Sequence, residues 1–219
     1  MPDGHEMEQA ANARLLTITA GLDAEACAAR DDLPPGSRTL LLLSPHEPAF
    51  WPAFQATPEF RDGDPDPMDR WSRRVITQWA EEVGATPLFP FGSPPFHPFI
   101  KWALASGRVH SSPIGMMVHP HAGLFLSFRG ALALPEAIPA PPICARPCDN
   151  CPDQPCRTAC PVDAFATGAY DVPRCKAFLE TDAGFDCMSK GCKARRACPI
   201  GRNYGRLHEH SAYHMSRFL

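Results

Sequence analysis

Nine of the ten cysteines lie between residues 144 and 198. That crowding constrains the fold more than any other feature, because so many thiols in one short stretch have no obvious packing rationale and call for something to bind. From Cys148 the chain reads C-x2-C-x4-C-x3-C-P, through Cys151, Cys156, Cys160 and Pro161; Cys175, Cys187, Cys192 and the pair Cys198-Pro199 follow. Eight thiolates are the number that two four-iron clusters take when each iron receives one. Short gaps let one loop wrap several corners of a cube, and a proline after the last cysteine turns the chain away. Structural zinc favours repeated C-x2-C knuckles, of which there is one here, and a disulfide framework belongs to oxidising compartments. Both stand as alternatives to iron–sulfur ligation. Cys27 and Cys144 read as small buried hydrophobes with no ligand role.

At 219 residues the chain has room for one hydrophobic core and a smaller cofactor-stabilised unit. Its 26 prolines, about twice ordinary usage, imply many rigid bends. A net charge of −3 gives no global field for nucleic acid, which is not favoured as a partner despite the local patch of Lys193, Arg195, Arg196, Arg202 and Arg206. The acidic start lacks the basic and apolar segments of a secretory signal. The longest aliphatic run, Leu40 to Leu43, is far short of the roughly 20 residues that span a bilayer. The expectation is a soluble, cytoplasmic chain that avoids the membrane.

The cysteine asymmetry predicts a first domain over 1–134, a proline-rich linker over 135–143, a cysteine-rich domain over 144–202 and a C-terminal helix over 203–219. Within the first, Glu6 to Arg14 reads as a helix, Leu15 to Thr19 and Thr39 to Leu43 as buried strands, and Pro34-Pro35-Gly36 as a turn. Asp66 sits at an N-cap position with Pro67 at N1. Met68, Trp71, Val75, Ile76, Trp79 and Val83 then recur at helical spacing until Gly84. Phe96 to Ser106 predicts another helix. Ile114 to His119 and Leu124 to Leu134 predict a strand pair closed by His121-Ala122-Gly123. The fold class expected is α+β. No G-x-G-x-x-G nucleotide fingerprint follows a strand.

The cysteine order over 148–198 resembles the two-cluster ferredoxin module of epoxyqueuosine reductases and reductive dehalogenases. Cys175-Lys176-Ala177-Phe178-Leu179 and Gly191-Cys192 match further parts of that module. The resemblance implies two [4Fe-4S] clusters, one held by Cys148, Cys151, Cys156 and Cys198, the other by Cys160, Cys175 and Cys192. Arg195 stands where the family has a further cysteine, and Cys187 is the candidate replacement. The region from about residue 40 to 134 resembles the cblC-type cobalamin-processing family, whose fold is related to flavin nitroreductases. That likeness rests on Leu42-Leu43-Ser44-Pro45, Asp66-Pro67-Met68-Asp69, Val118 to Phe125 and Phe128-Arg129-Gly130. It implies a nitroreductase-like sheet-and-helix domain with a corrinoid (cobalamin) pocket near His119 and Arg129, ahead of a small ferredoxin-like iron–sulfur domain.

Plainer readings compete for each residue. His119 before a proline suits a turn residue bonded to backbone, Arg129 a solvated strand-edge charge, and Trp71 and Trp79 core packing. His210 and His214 share a helical face that a metal would accept. With no third ligand evident, a helix covering the cysteine module is preferred. Lys193, Arg195 and Arg196 read as a solvated face or a docking patch for an acidic donor. Together these residues predict an iron–sulfur oxidoreductase that receives electrons from a low-potential donor of ferredoxin or flavodoxin type and passes them to a corrinoid or substrate. An electron carrier without catalysis of its own and an epoxyqueuosine-reductase-like tRNA-modifying enzyme are the alternatives.

Overall fold

A computed structural model describes residues 3–219. The first helix opens on a reciprocal cap: the Asp3 carboxylate accepts from the backbone N–H of His5 and Glu6, both at 2.8 Å, and Glu6 reaches back to the Asp3 N–H at 2.9 Å. In chain order the elements begin with α1 (Gly4–Ala13), β1 (Leu16–Leu22), α2 (Ala24–Ala28), β2 (Thr39–Pro45), α3 (Phe50–Gln55) and α4 (Pro58–Arg61). Then come α5 (Pro67–Glu82), β3 (Thr86–Leu88), α6 (Phe99–Ala105), β4 (His110–Ser111), β5 (Met117–Val118) and β6 (Gly130–Leu134). The remainder is helical: α7 (Val172–Leu179), α8 (Phe185–Lys190), α9 (Lys193–Arg196) and α10 (His208–Phe218), joined by short 3-10 turns. The fold class is α+β, as expected.

The chain divides into two compact units, and both are discontinuous in sequence. The first runs to Val109 and resumes over Ser127–Cys144; the second combines His110–Leu126 with Ala145–Leu219. The division therefore differs from a simple break after residue 134. Residues 135–143 belong to the first unit because they are tied to it: Thr39 Oγ1 donates to the Glu136 carbonyl and accepts from the Ile138 N–H, each at 2.8 Å. Ile138 is buried, and Pro141 and Ala140 close on Gly21 of β1, where a Cβ would stand 3.0 and 3.3 Å from them.

The first unit is built on an antiparallel sheet of order β1-β2-β6-β3. Leu40, Leu41, Leu42 and Leu43 on β2 are all buried, so neither face of this strand meets water. α1 and α6 pack on β1, and α5 packs on β3 and β6. The expected amphipathic helix is α5. Met68, Trp71, Ile76 and Trp79 face the core, Val75 is half-buried, and Gly84 in the left-handed conformation follows its end. Trp71 meets Phe50 of α3 edge-on at 5.1 Å between ring centres, confirming a packing role. Asp66 occupies the N-cap position, but in a left-handed conformation with no side-chain capping bond, so only part of the expected cap forms.

The expected strand pair of Ile114 to His119 with Leu124 to Leu134 does not form. β5 pairs with β4, and β6 pairs with β2 and β3 instead. Gly130 to Leu134 are all buried, and an apolar strand of this kind gains more from the middle of a sheet than from an exposed two-stranded ribbon. What survives of the hairpin is a single bridge between His119 and Gly123.

Candidate metal centre

The second unit is built of short helices and turns, and its core mixes cysteine with apolar side chains. Cys148, Cys156, Cys160 and Cys198 are buried together with Ile114, Val118, Leu124, Phe165 and Ala194. The loops that carry them are set by proline: Pro147, Pro155 and Pro199 each open a 3-10 turn, where a fixed φ is useful and a missing N–H costs nothing. The four-residue gap between Cys151 and Cys156 is turned by Gln154, which is left-handed at φ +38°. Cys175 lies on α7 and Cys187 on α8, while Cys192 and Cys198 each precede a helical turn.

The eight thiols sort into two sets of four. Cys148, Cys151, Cys156 and Cys198 line one small pocket. Cys160, Cys175, Cys187 and Cys192 line another. The electrostatics divide them in the same way. Burial pushes the Cys148 and Cys156 thiols above their ordinary range, and nearby Cys151 and Cys198 push further in the same direction. Burial likewise raises Cys175 and Cys187, with Cys160, Cys192 and Cys187 adding to the effect at Cys175. Cys187, the candidate for the position taken by Arg195, lies in the second set. Cys27 is buried in the first unit. Cys144 is half-buried, not fully buried, with its Sγ 3.4 Å from the Arg108 carbonyl.

Among the described residues no group of three or more His, Cys, Asp or Glu could hold a single metal ion. Tetrahedral zinc draws its thiolates to within about 4 Å of one another, given Zn–S bonds of about 2.3 Å. Were a cubane held in either pocket, each of the four thiolates lining it would meet a different iron.

Several supporting residues are not evident from the cysteine pattern. Ser112, Val118 and Leu124, from the excursion His110–Leu126, line the first cavity. The turn beside them is held by His119. Its Nδ1 accepts from the N–H groups of His121 and Ala122, at 3.2 and 3.1 Å, which leaves a neutral ring its proton on Nε2. This is the turn role. Gly123 follows in the left-handed conformation, against Gly201 and the Cys198 sulfur. A glycine closing a His-Pro-His-Ala-Gly turn was the one sequence signal of that approach. Around the second pocket the Tyr170 ring stacks on Phe165 at 4.8 Å between ring centres. The Ala164 N–H points at the Cys160 sulfur at 3.4 Å.

α10 packs on α8, and its Met215 lines the second cavity, so the helix does cover the cysteine module. His210 is fully buried with its Nε2 3.1 Å from that of His214. The basic patch is part-exposed, and most of its charges have partners within the chain. Asp186 takes Lys190, Lys193 and Arg196, while Arg195 and Arg206 donate to the carbonyls of Leu124 and Phe125.

His119 belongs to the second unit and Arg129 to the first. Arg129 is mostly buried rather than a solvated edge charge. Its N–H donates to the Leu43 carbonyl at 2.8 Å and its Nη1 to Asp69 at 3.2 Å. Three of the segments resembling the cblC-type family, at 42–45, 66–69 and 128–130, therefore meet at this residue. Burial raises the Asp69 carboxyl, and the Arg129 charge opposes that shift. Among the described residues no helix is long and apolar enough to cross a membrane.

In comparisons with known proteins, no family model, no curated protein and no solved structure matches the chain.

Proposed function

We propose that this chain is an iron–sulfur redox protein with two [4Fe-4S] sites, one at Cys148, Cys151, Cys156 and Cys198, the other at Cys160, Cys175, Cys187 and Cys192. The reading rests on one observation: eight thiols divide four and four around two separate cavities, with Cys160 and Cys198 exchanged between the sequence runs that contain them. Such exchange is the habit of two-cluster ferredoxins, in which the last cysteine of a run serves the other cluster. When bound, the clusters supply one-electron transfer. The chain's part is to hold them, to keep water away with Val118, Leu124, Phe165 and Met215, and to direct the Ala164 N–H at the Cys160 sulfur.

The first unit is read as a cblC-like, nitroreductase-related domain that presents a corrinoid for reduction by a low-potential ferredoxin or flavodoxin acting through the second unit. Support for this comes from the meeting of three resembling segments at Arg129. Two measurements test the proposal. Anaerobically purified protein should contain about eight irons and about eight acid-labile sulfides per chain; an iron-free, zinc-replete natural form refutes it. Titration with cobalamin and with flavin should perturb the visible spectrum for one of them. No change with either would leave an electron carrier.

A further inference from the structure

We propose that electrons enter at the second cysteine site, and that the partner delivering them is an acidic one-electron carrier protein seated on the basic surface of α8 and α9. This rests on the two-cluster reading above. Charge is divided unequally between the two sites. Over residues 186–196 the cations Lys190, Lys193, Arg195 and Arg196 stand against one carboxylate, Asp186. Lys190, Lys193 and Arg196 share that carboxylate, and their side chains are 50 %, 42 % and 25 % exposed. Three cations on one carboxylate leave a net charge of +2. Asp182 and Glu209, exposed on the elements that flank α8, form no ion pair with the group among the described residues. Such a surface complements an acidic partner. A second copy of the chain would set like charge against like in a symmetric pair, which disfavours it as the occupant.

Position ties this surface to the second site. Lys193 itself lines the second pocket, next to Cys192. In the second set Cys175 and Cys192 are half-buried, whereas in the first only Cys151 is. Phe185, two residues before Cys187 on α8, is 71 % exposed, more than any other large apolar side chain of the second unit. It supplies the apolar contact that a charged rim surrounds in a protein interface. The first pocket lacks both features. Among the described residues no charged side chain lines it, and its loop over 146–157 balances Arg146 and Arg157 against Asp149 and Asp153. Electron-transfer partners meet over small contacts, below about 1,200 Å² in total, so one aromatic ring and a few cations are enough to define one. In the step itself one electron leaves the reduced carrier and reduces the second centre, with no bond made or broken.

The test mixes anaerobic, full-length protein with reduced flavodoxin, an acidic one-electron carrier, and follows cluster reduction by stopped-flow absorbance. Replacing both lysines, Lys190→Glu with Lys193→Glu, should slow the second-order rate by about tenfold at low salt and flatten its dependence on ionic strength. Phe185→Ala, at an exposed site, should slow it at every ionic strength, and provides a second reading should the charge reversal fail to load iron. Neither change should slow reduction by the methyl viologen radical, a small cation. Arg146→Glu, beside the first site, is the control and should leave the flavodoxin rate in place. Variants that hold about eight irons and react with flavodoxin at the wild-type rate overturn the inference. So do a loss shared by viologen, an equal loss in Arg146→Glu, a loss traced to the break-up of a dimer, or an iron-replete wild type that flavodoxin does not reduce. A wild-type chain without iron would instead overturn the two-cluster reading itself.

Discussion

Replacing Gly123 with alanine should damage the first cysteine site through the backbone alone. A Cβ at this position would lie 2.6 Å from the Gly201 nitrogen, 2.8 Å from its Cα and 3.1 Å from the Cys198 sulfur. The first two atoms are backbone and cannot rotate away. Overpacking of this kind costs about 1 to 3 kcal/mol. The left-handed conformation, φ +53°, adds about 1 to 2 kcal/mol for a residue with a side chain. The sum, about 2 to 5 kcal/mol, corresponds to a melting temperature lower by roughly 4 to 20 °C for a chain of this length. Gly36→Ala is the control, because φ is +80° there and nothing lies within 4 Å, so it carries the conformational cost without the collision. Thermal unfolding of both variants, with iron determined on the same samples, should show Gly123→Ala melting well below Gly36→Ala and losing about half its iron. Equal melting points with full iron would refute the reasoning.

Cys187→Ser should lose about half of the bound iron, while Cys27→Ser loses none, as read by iron and sulfide analysis. Trp79→Ala, at a fully buried site on α5, should cost about 3 to 5 kcal/mol in denaturant unfolding. Thr39→Val should cost about 1 to 3 kcal/mol, because it leaves the Ile138 N–H without its acceptor. The Arg74 guanidinium holds the Glu59 carboxyl below the usual range, so this pair stabilises above the unfolded value of about 4.3 and is lost as pH falls through the folded one. The difference between wild type and Glu59→Gln should therefore be largest above about pH 5 and vanish on acidification. It should stay below about 1 kcal/mol, since Arg74 is half exposed.

Where local signals decide structure, the sequence was a good guide. The helical recurrence of Met68, Trp71, Ile76 and Trp79 states which face of α5 is buried, and the crowding of cysteines after residue 144 marks the stretch whose thiols line the two pockets. Non-local pairing was another matter. Nothing in Gly130 to Leu134 says that these residues enter the sheet between β2 and β3, because an apolar run fits a central strand beside any partner. The fault in the expected hairpin and the fault in the expected domain boundary are the same fault: His110–Leu126 leaves one unit to join the other, and composition changes little across those points. His119 was ambiguous because both of its readings place it at a turn, and only the direction of Nδ1 separates them.

The chain passes from one unit to the other after Val109, back after Leu126 and across again after Cys144. Severing it at the proline-rich stretch would thus release neither half whole. A downstream fragment would carry all eight cysteines proposed as ligands yet lack Val118 and Leu124, leaving one pocket open on the side those residues wall off.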